Sequence, residues 1–325
     1  MLKTGRFWLT FMVFFAFAAA VHAQAYPTRT ITLVAPFGAG GDSDFSGRNL
    51  AAVVPKYLGQ QAIVVNQVGA SGMIGSQRVR SSPPDGYTLL IARGGSQAIV
   101  PALDTKSPYK WNDFTFLSVL DLNPLVLVVK PDAPYKTLKE LVDYMRANPG
   151  KLNYSTAGPS TTQNLSAQYL FQVMGLSKDA AVQVPYKSGG EATTAVLGNQ
   201  VQFVFNNLTT MIGQIKAGTL RALLTTTAQR LKDLPDTPTA RELGWPQLEA
   251  LTGWSGLYGP PGLPAEVVTR WTEAFQKIAQ DPDWLRGNDS IAGIPSIRSP
   301  AETEKFAREQ YELYEKLGDL LGIRQ

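Results

Sequence analysis

The chain contains no cysteine and a single histidine, His22, in 325 residues. Without cysteine there is no disulfide, no thiolate nucleophile, no cysteine metal site and no lipid anchor on an N-terminal cysteine. His22 lies in the opening segment, so the chain beyond it lacks the commonest general base and the commonest transition-metal ligand. That weighs against a hydrolase or a zinc enzyme and leaves acid–base chemistry to Asp, Glu, Lys or Tyr. No basic tract is present, which argues against nucleic-acid and membrane-surface partners. No Gly-x-Gly-x-x-Gly or Gly-Lys-Ser/Thr element occurs, so the nucleotide-loop readings fail at the residue level. A Gly-x-Ser-x-Gly elbow is also missing. Ser107-Pro108-Tyr109-Lys110 matches Ser-x-x-Lys by letter, but its proline spoils the helix that would align the two side chains. The acidic residues form no cluster with metal-ligand spacing.

What is present begins with an opening segment of distinct character. Lys3 and Arg6 precede an apolar run from Phe7 to Val21, and small residues follow at Ala23 and Ala25. A basic start, a short apolar core and a small-x-small exit describe a secretory signal peptide over residues 1–25, cleaved after Ala23 or Ala25. The alternative, an uncleaved membrane anchor, needs about 20 apolar residues, and no later segment reaches that length. A periplasmic product is therefore expected. The formal charge is +4. Lys3 and Arg6 supply two of those charges in a segment with no acid, so the mature chain carries +2. With 44% hydrophobic and 17% charged residues, it has ordinary globular composition and a length that suits two domains.

From Thr30 onward, strand-length apolar runs alternate with helical stretches, the grammar of parallel βαβ units with right-handed crossovers. Strands are expected at Thr30–Ala35, Ala62–Asn66 and Tyr87–Ala92, with helices starting near Asp42 or Ser43 and near Ser71. The pattern then repeats. Strands are expected at Leu125–Lys130, Leu152–Thr156, Ala181–Pro185, Val201–Phe205 and Arg221–Thr226. Helices are expected at Thr137–Ala147, Thr161–Met174, Glu191–Leu197 and Leu208–Ala217. Thr252–Tyr258 is strand-like, and helices over Pro264–Gln280 and Pro300–Leu321 close the chain. Having no strands of their own, these helices are assigned to the first lobe. The expectation is an α/β protein of two lobes, each a mostly parallel sheet flanked by helices. Lobe 1 comprises residues 26–123 and 253–325, and lobe 2 residues 124–252. Two chain crossings, near Asn123–Pro124 and Leu251–Ser255, make a hinge able to close on a ligand.

The most informative feature is a strand–glycine turn–helix unit that occurs twice. One runs from Val34 through Phe37-Gly38-Ala39-Gly40-Gly41-Asp42-Ser43-Asp44, the other from Tyr154 through Thr156-Ala157-Gly158-Pro159-Ser160-Thr161-Thr162. Glycines let backbone N–H groups approach a ligand, and the following helix offers free amides and a partial positive end. Two such turns, one per lobe, would hold the oxygen-rich groups of one small molecule. Read singly, each is equally an ordinary βα turn. Asp42 and Asp44 read either as caps that compensate the helix dipole or as partners for a ligand ammonium or hydroxyl. Further candidates are Ala70 and Ser71 in a third Gly-rich turn, Ser96, and Tyr186 after a strand. Asn207 sits at a strand end, where α/β sheets place ligands. Arg93 reads as a bidentate carboxylate clamp or as half of an internal salt bridge.

Taken in order, several of these segments resemble the substrate-binding receptors of tripartite tricarboxylate transporters, also called Bug-type receptors. The resemblance rests on Tyr26-Pro27, Pro36-Phe37-Gly38-Ala39-Gly40-Gly41 with Asp44, and Gly69-Ala70-Ser71-Gly72. It continues through Asp85-Gly86-Tyr87-Thr88-Leu89-Leu90, Ser155-Thr156-Ala157-Gly158 and Val184-Pro185-Tyr186-Lys187, and covers nearly all of the mature chain. It implies a two-lobe periplasmic binding protein fold that grips carboxylates largely through backbone amides and waters at the two turns. The ligands it implies are tricarboxylates, acidic amino acids or aromatic carboxylates. The chain departs from the family pattern at Asp42 (usually proline), Gln67-Val68 (basic residue and proline), Arg93 (small hydroxyl), Asn164 (histidine) and Asn206 (often aspartate). These departures concern the ligand, not the fold.

The leading expectation is thus a monomeric, cofactor-free receptor that captures a small carboxylate for transporter membrane subunits or a sensor protein. The alternative is an exported α/β enzyme acting on a small carboxylate through Asp44, Lys187 or a tyrosine. A structural or adhesive protein would need repeats or a sticky surface, and neither is present.

Overall fold

The structure is a computed structural model and describes residues 26–324; the expected signal peptide lies outside those residues. The chain runs β1 (Ile31–Ala35), α1 (Asp42–Leu58), β2 (Ala62–Asn66), α2 (Met73–Arg80), β3 (Thr88–Arg93), α3 (Val100–Leu103) and β4 (Thr115–Asn123). After Pro124 it builds β5 (Leu125–Val129), α4 (Leu138–Ala147), β6 (Leu152–Thr156), α5 (Thr162–Val173), β7 (Ala181–Pro185), α6 (Gly189–Leu197), β8 (Phe203–Asn207), α7 (Ile212–Lys216) and β9 (Arg221–Thr225). It returns through β10 (Gly253–Gly259) and ends with α8 (Ala265–Ile278), α9 (Pro282–Ser290), β11 (Ile294–Pro295) and α10 (Pro300–Leu321).

The strands form two separate sheets. One has the order β11-β4-β10-β3-β1-β2 and the other β7-β6-β8-β5-β9. The chain passes between them twice, at Pro124 and between β9 and β10.

Four strands of each sheet run the same way, as expected of a mostly parallel sheet, and β10 and β11 in one and β5 in the other run against them. β1 runs parallel to β2 and β3, and β6 runs parallel to β7 and β8. β10 is antiparallel to β3 and β4, and β5 is antiparallel to β8 and β9. Of the reversed strands, β10 and β5 are the ones by which the chain enters each lobe. A strand laid down by a right-handed crossover ends at the lobe boundary, whereas a strand arriving from the other lobe begins there, so its direction is opposite. The sequence reading missed β4 and α9. β4 is buried along nearly its whole length, so it lacks the alternation of a half-buried strand, and Ser118 and Asp121 break the continuous apolar run of a fully buried one.

Both faces of each sheet are covered, which is why β5 reads as five apolar residues in a row. Val126 and Val128 face a cluster with Ala192, Val196 and Leu208. Leu125, Leu127 and Val129 face a core that continues through Trp254 and Tyr258 to Phe306 and Tyr314 of α10. In the first lobe, Ile31 and Leu33 pack with Leu50, Val54, Trp271 and Trp284 on the other side of the sheet. Asp281 caps α9 and takes Lys56 Nζ at 3.0 Å and the Tyr57 hydroxyl at 2.5 Å, tying α9 to the end of α1. Burial opposes ionisation of Asp281, but the Tyr57 hydroxyl, the Trp284 and Asp283 amides and Lys56 outweigh it and hold the carboxyl well below its ordinary range. With the cores filled in this way, the loops at the C-terminal ends of β1, β3, β6 and β8 meet at the lobe boundary, where α/β sheets place ligands.

Candidate ligand-binding site

A cavity of about 20 Å³ lies between the lobes. Phe37, Asp42, Ser43, Arg93, Ala157, Thr161 and Asn207 of the sequence candidates line it, together with Gly95, Thr162, Gln163 and Gly189. Helices supply its polarity. Asp42 and Ser43 open α1, and Thr162 and Gln163 open α5 from the opposite lobe. Among the described residues, the amides of Asp42, Ser43, Thr161, Thr162 and Gln163 donate to no group, as first-turn amides have no partner within a helix. Two partial positive ends therefore converge on one cavity. Gly189, at the start of α6, adds a third.

The glycine turns themselves are occupied differently from the expectation. The Gly40 amide donates to Asp44 Oδ2 at 3.1 Å and the Gly41 amide to the Gly38 carbonyl at 3.3 Å. Gly158 donates to Thr156 Oγ1 at 3.1 Å, and Ser160 donates to Ser71 Oγ at 3.2 Å. The free donors thus sit on the first turns of the helices, a residue or more beyond the glycines. Ala39, Gly40 and Tyr186 line a separate cleft of about 540 Å³, with the Tyr186 hydroxyl donating to Gln200 Oε1 at 3.1 Å. Ser160 lines another, of about 440 Å³, near Asn164.

Several candidates brace the site from behind. Asp44 pairs with Arg48 at 3.0 Å and holds the Gly40 amide. Burial alone would raise its carboxyl, but Arg48, Gly40 and Asn66 leave it below the ordinary value. Ser96 donates to the Arg93 carbonyl at 3.4 Å, and its own carbonyl accepts from Tyr109. Ala70 and Ser71 have φ of 45° and 53°, a left-handed conformation that is costly for residues with a side chain. That conformation sets Ser71 Oγ to receive the Ser160 amide from the other lobe.

Arg93 is not a free clamp. It is 5% exposed, and its Nη1 donates to Asn123 Oδ1 at 2.8 Å and Ser255 Oγ at 2.5 Å. Its Nη2 stands 3.6 Å from Asp42 Oδ2. Asp121 lies behind it, fully enclosed; burial holds that carboxyl above its ordinary value against the opposing pull of Ser46, Arg93, Ser255 and Asn123. Asn206 accepts from Gln163 Nε2 at 2.9 Å and donates to the Gly189 carbonyl at 2.9 Å, locking α5 and α6 to β8.

Three hydrogen bonds join the lobes around the cavity. Gly38 donates to the Lys187 carbonyl at 3.0 Å, Asn207 Nδ2 to Asp42 Oδ2 at 2.9 Å, and Ser160 to Ser71 Oγ. Backbones also touch: a Cβ on Gly190 would stand 2.3 Å from the Gly40 carbonyl oxygen. The lobes are closed upon one another, and a cavity near the size of one water molecule must widen to admit any carboxylate. Thr162, although part of the second strand–turn–helix unit, was not singled out for the site, nor were Gln163, Gly95 and Gly189. The first two were legible as the start of α5; the others are brought in only by the docking of the lobes. Among the described residues no group of three His, Cys, Asp or Glu is placed to hold a metal ion, and no helix is long and apolar enough to cross a membrane.

Comparison with known proteins places this architecture in context. A family model described as the tripartite tricarboxylate transporter family receptor matches residues 47–320. The protein BugT of Bordetella pertussis is 30% identical over 298 residues, spanning 91% of this chain and 90% of BugT. The structure of the periplasmic binding protein BugD superposes with a TM-score of 0.87 at 28% identity, covering 92% of this chain and 99% of that one. The R. palustris Rpa4515 structure with adipate gives a TM-score of 0.86 at 29% identity, with the same coverage.

Proposed function

The chain belongs to the tripartite tricarboxylate transporter receptor family, and from that premise we propose that this solute-binding receptor captures a small carboxylate between its lobes. The observation that carries the reading is the convergence of the α1 and α5 N-termini, with their unpaired amides, on one interlobe cavity. Such amides bind an anion without a charged side chain and are already aimed, so little ordering is lost on binding. Adipate in a relative with the same fold supports a ligand of this class. The grip is assigned to Asp42, Ser43, Ala157, Thr161, Thr162 and Gln163, with Arg93 and Asn207 as walls.

A binding role is favoured over catalysis because two of the acid–base candidates, Asp44 and Tyr186, are committed to other partners. Asp44 is held by Arg48 and Gly40, and Tyr186 by Gln200. The proposal includes lobe boundaries at residues 26–123 with 253–325 and at 124–252, a monomeric state, a periplasmic location after removal of residues 1–25, and delivery to transporter membrane subunits or a sensor protein. A thermal-shift screen of the purified mature chain against mono-, di- and tricarboxylates tests the central claim. A ligand bound only by the folded state raises the melting temperature by mass action. No shift with any carboxylate at millimolar concentration overturns it.

A further inference from the structure

The two charged side chains that line the interlobe cavity are Asp42 and Arg93. Both are within a few per cent of full burial, and their formal charges cancel. Arg93 is spoken for by Asn123 and Ser255. Asp42 is only half satisfied. Its Oδ2 accepts from Asn207 and faces Arg93, whereas its Oδ1 is buried with no hydrogen-bond partner. The neighbouring Ser43 hydroxyl is likewise buried and unpartnered. A buried carboxylate oxygen left unpaired is costly, and this one belongs to a residue lining the cavity. The opposite wall offers the reverse chemistry, the unpaired amides of Thr161, Thr162 and Gln163. The α1 wall thus presents an open acceptor beside its own free amides, whereas the α5 wall presents donors alone.

We propose that Asp42 is an ammonium-recognising residue, and that the ligand is a net-neutral amino-carboxylate, its carboxylate on the α5 amides and its ammonium on Asp42 Oδ1. The inference rests on the carboxylate-receptor reading and narrows it. A zwitterion matches a lining whose side-chain charges sum to zero and satisfies the open oxygen. A dicarboxylate would bring a second anion toward Asp42 with no uncommitted cationic side chain in the cavity to offset it. Asp121, beside Arg93 and outside the lining, supplies no cation to offset a second anion.

Isothermal titration of the mature chain tests the proposal with matched probes. The amino series is L-alanine, 3-aminopropanoate, 4-aminobutanoate and L-leucine. Each is paired with its desamino counterpart, and succinate and adipate represent dicarboxylates. The expected result is that at least one amino-carboxylate binds tenfold or more tightly than both its desamino partner and the dicarboxylates. Asp42→Asn should then weaken the amino ligand by at least tenfold, and far more than it weakens the desamino partner. Asp42→Ser provides a second variant should the first fail to fold, and the wild-type preference needs no variant at all. Tighter binding of a dicarboxylate or desamino acid overturns the ammonium site and leaves the carboxylate receptor standing. An Asp42→Asn effect equal on amino and desamino ligands also overturns it. Absence of binding by every probe, in a protein that also gives no thermal shift with any carboxylate, overturns both readings together.

Discussion

Asn207, at the end of β8, donates its side-chain amide to the Asp42 carboxylate at the start of α1, 2.9 Å away across the lobe boundary. Both residues are buried, so the bond cannot be exchanged for water while the lobes remain shut. Replacement of Asn207 by alanine leaves Asp42 facing Arg93 alone, and an unpaired buried acceptor costs about 1–3 kcal/mol. Opening the lobes relieves that cost by admitting water. Asn207→Ala is therefore expected to enlarge the radius of gyration of the ligand-free protein in small-angle scattering; an unchanged radius would show that the bond does not hold the lobes together.

Gly190 lies where the two backbones come closest. A Cβ there would meet the Gly40 carbonyl oxygen at 2.3 Å, while Gly190 itself has no positive φ. Gly190→Val is expected to leave each lobe folded and to block full closure. Ligand affinity should fall at least tenfold, with the ligand-free melting temperature nearly unchanged. Gly158 makes a poorer probe: its φ of 133° and a would-be Cβ 2.6 Å from Ser71 Oγ mix strain with obstruction.

Asp44 supplies a pH-dependent brace. Its folded carboxyl titrates below the ordinary value, so its contribution is fully present above the unfolded carboxyl pKa of about 3.9. It is lost as pH falls through the folded value. Asp44→Asn should melt below wild type at pH 7, with the gap narrowing as pH falls below the unfolded carboxyl pKa of about 3.9. A gap independent of pH would exclude the ionic brace. Steady turnover of a carboxylate by wild type, abolished by this substitution, would instead favour the enzyme alternative.

Asp281 offers a control far from the cavity. Its carboxylate accepts from the Asp283 and Trp284 amides as the N-cap of α9. Asp281→Ala is expected to cost about 0.5–2 kcal/mol from the cap alone, measured by denaturant unfolding. Ligand affinity should be unaltered, since the site shares no partner with it.

Export is tested directly. N-terminal sequencing of the periplasmic fraction should find mature protein beginning near Gln24 or Tyr26. Intact Met1 on membrane-bound protein would contradict the signal-peptide reading.

How much was legible beforehand varied with the kind of residue. Leu125–Val129 was readable as a buried strand because both of its faces pack and the apolar run is unbroken, and Ile31–Ala35 because only Thr32 interrupts its run. Asp42 and Thr161 were readable as helix starts because the glycine turns before them leave helical geometry. β4 was not, since Ser118 and Asp121 interrupt its apolar pattern and make sense only once Arg298 and Ser46 are packed around them.

Local chemistry in the chain determined what depends on near neighbours. The lack of cysteine and of histidine beyond His22 ruled out whole classes of catalysis. The repeated strand–turn–helix units announced two lobes whose helix starts are of a kind suited to an anion. Tertiary structure alone decided which donors stay free. Gly40, Gly41 and Gly158 spend their amides on Asp44, Gly38 and Thr156, and Ser160 spends its own on Ser71. It also decided that Arg93 belongs to Asn123 and Ser255, and that Asp42 keeps one carboxylate oxygen open. Hydrogen-bond partners 30 to 165 positions apart are set by how sheets and lobes dock, and periodicity or spacing along the chain carries no record of that docking.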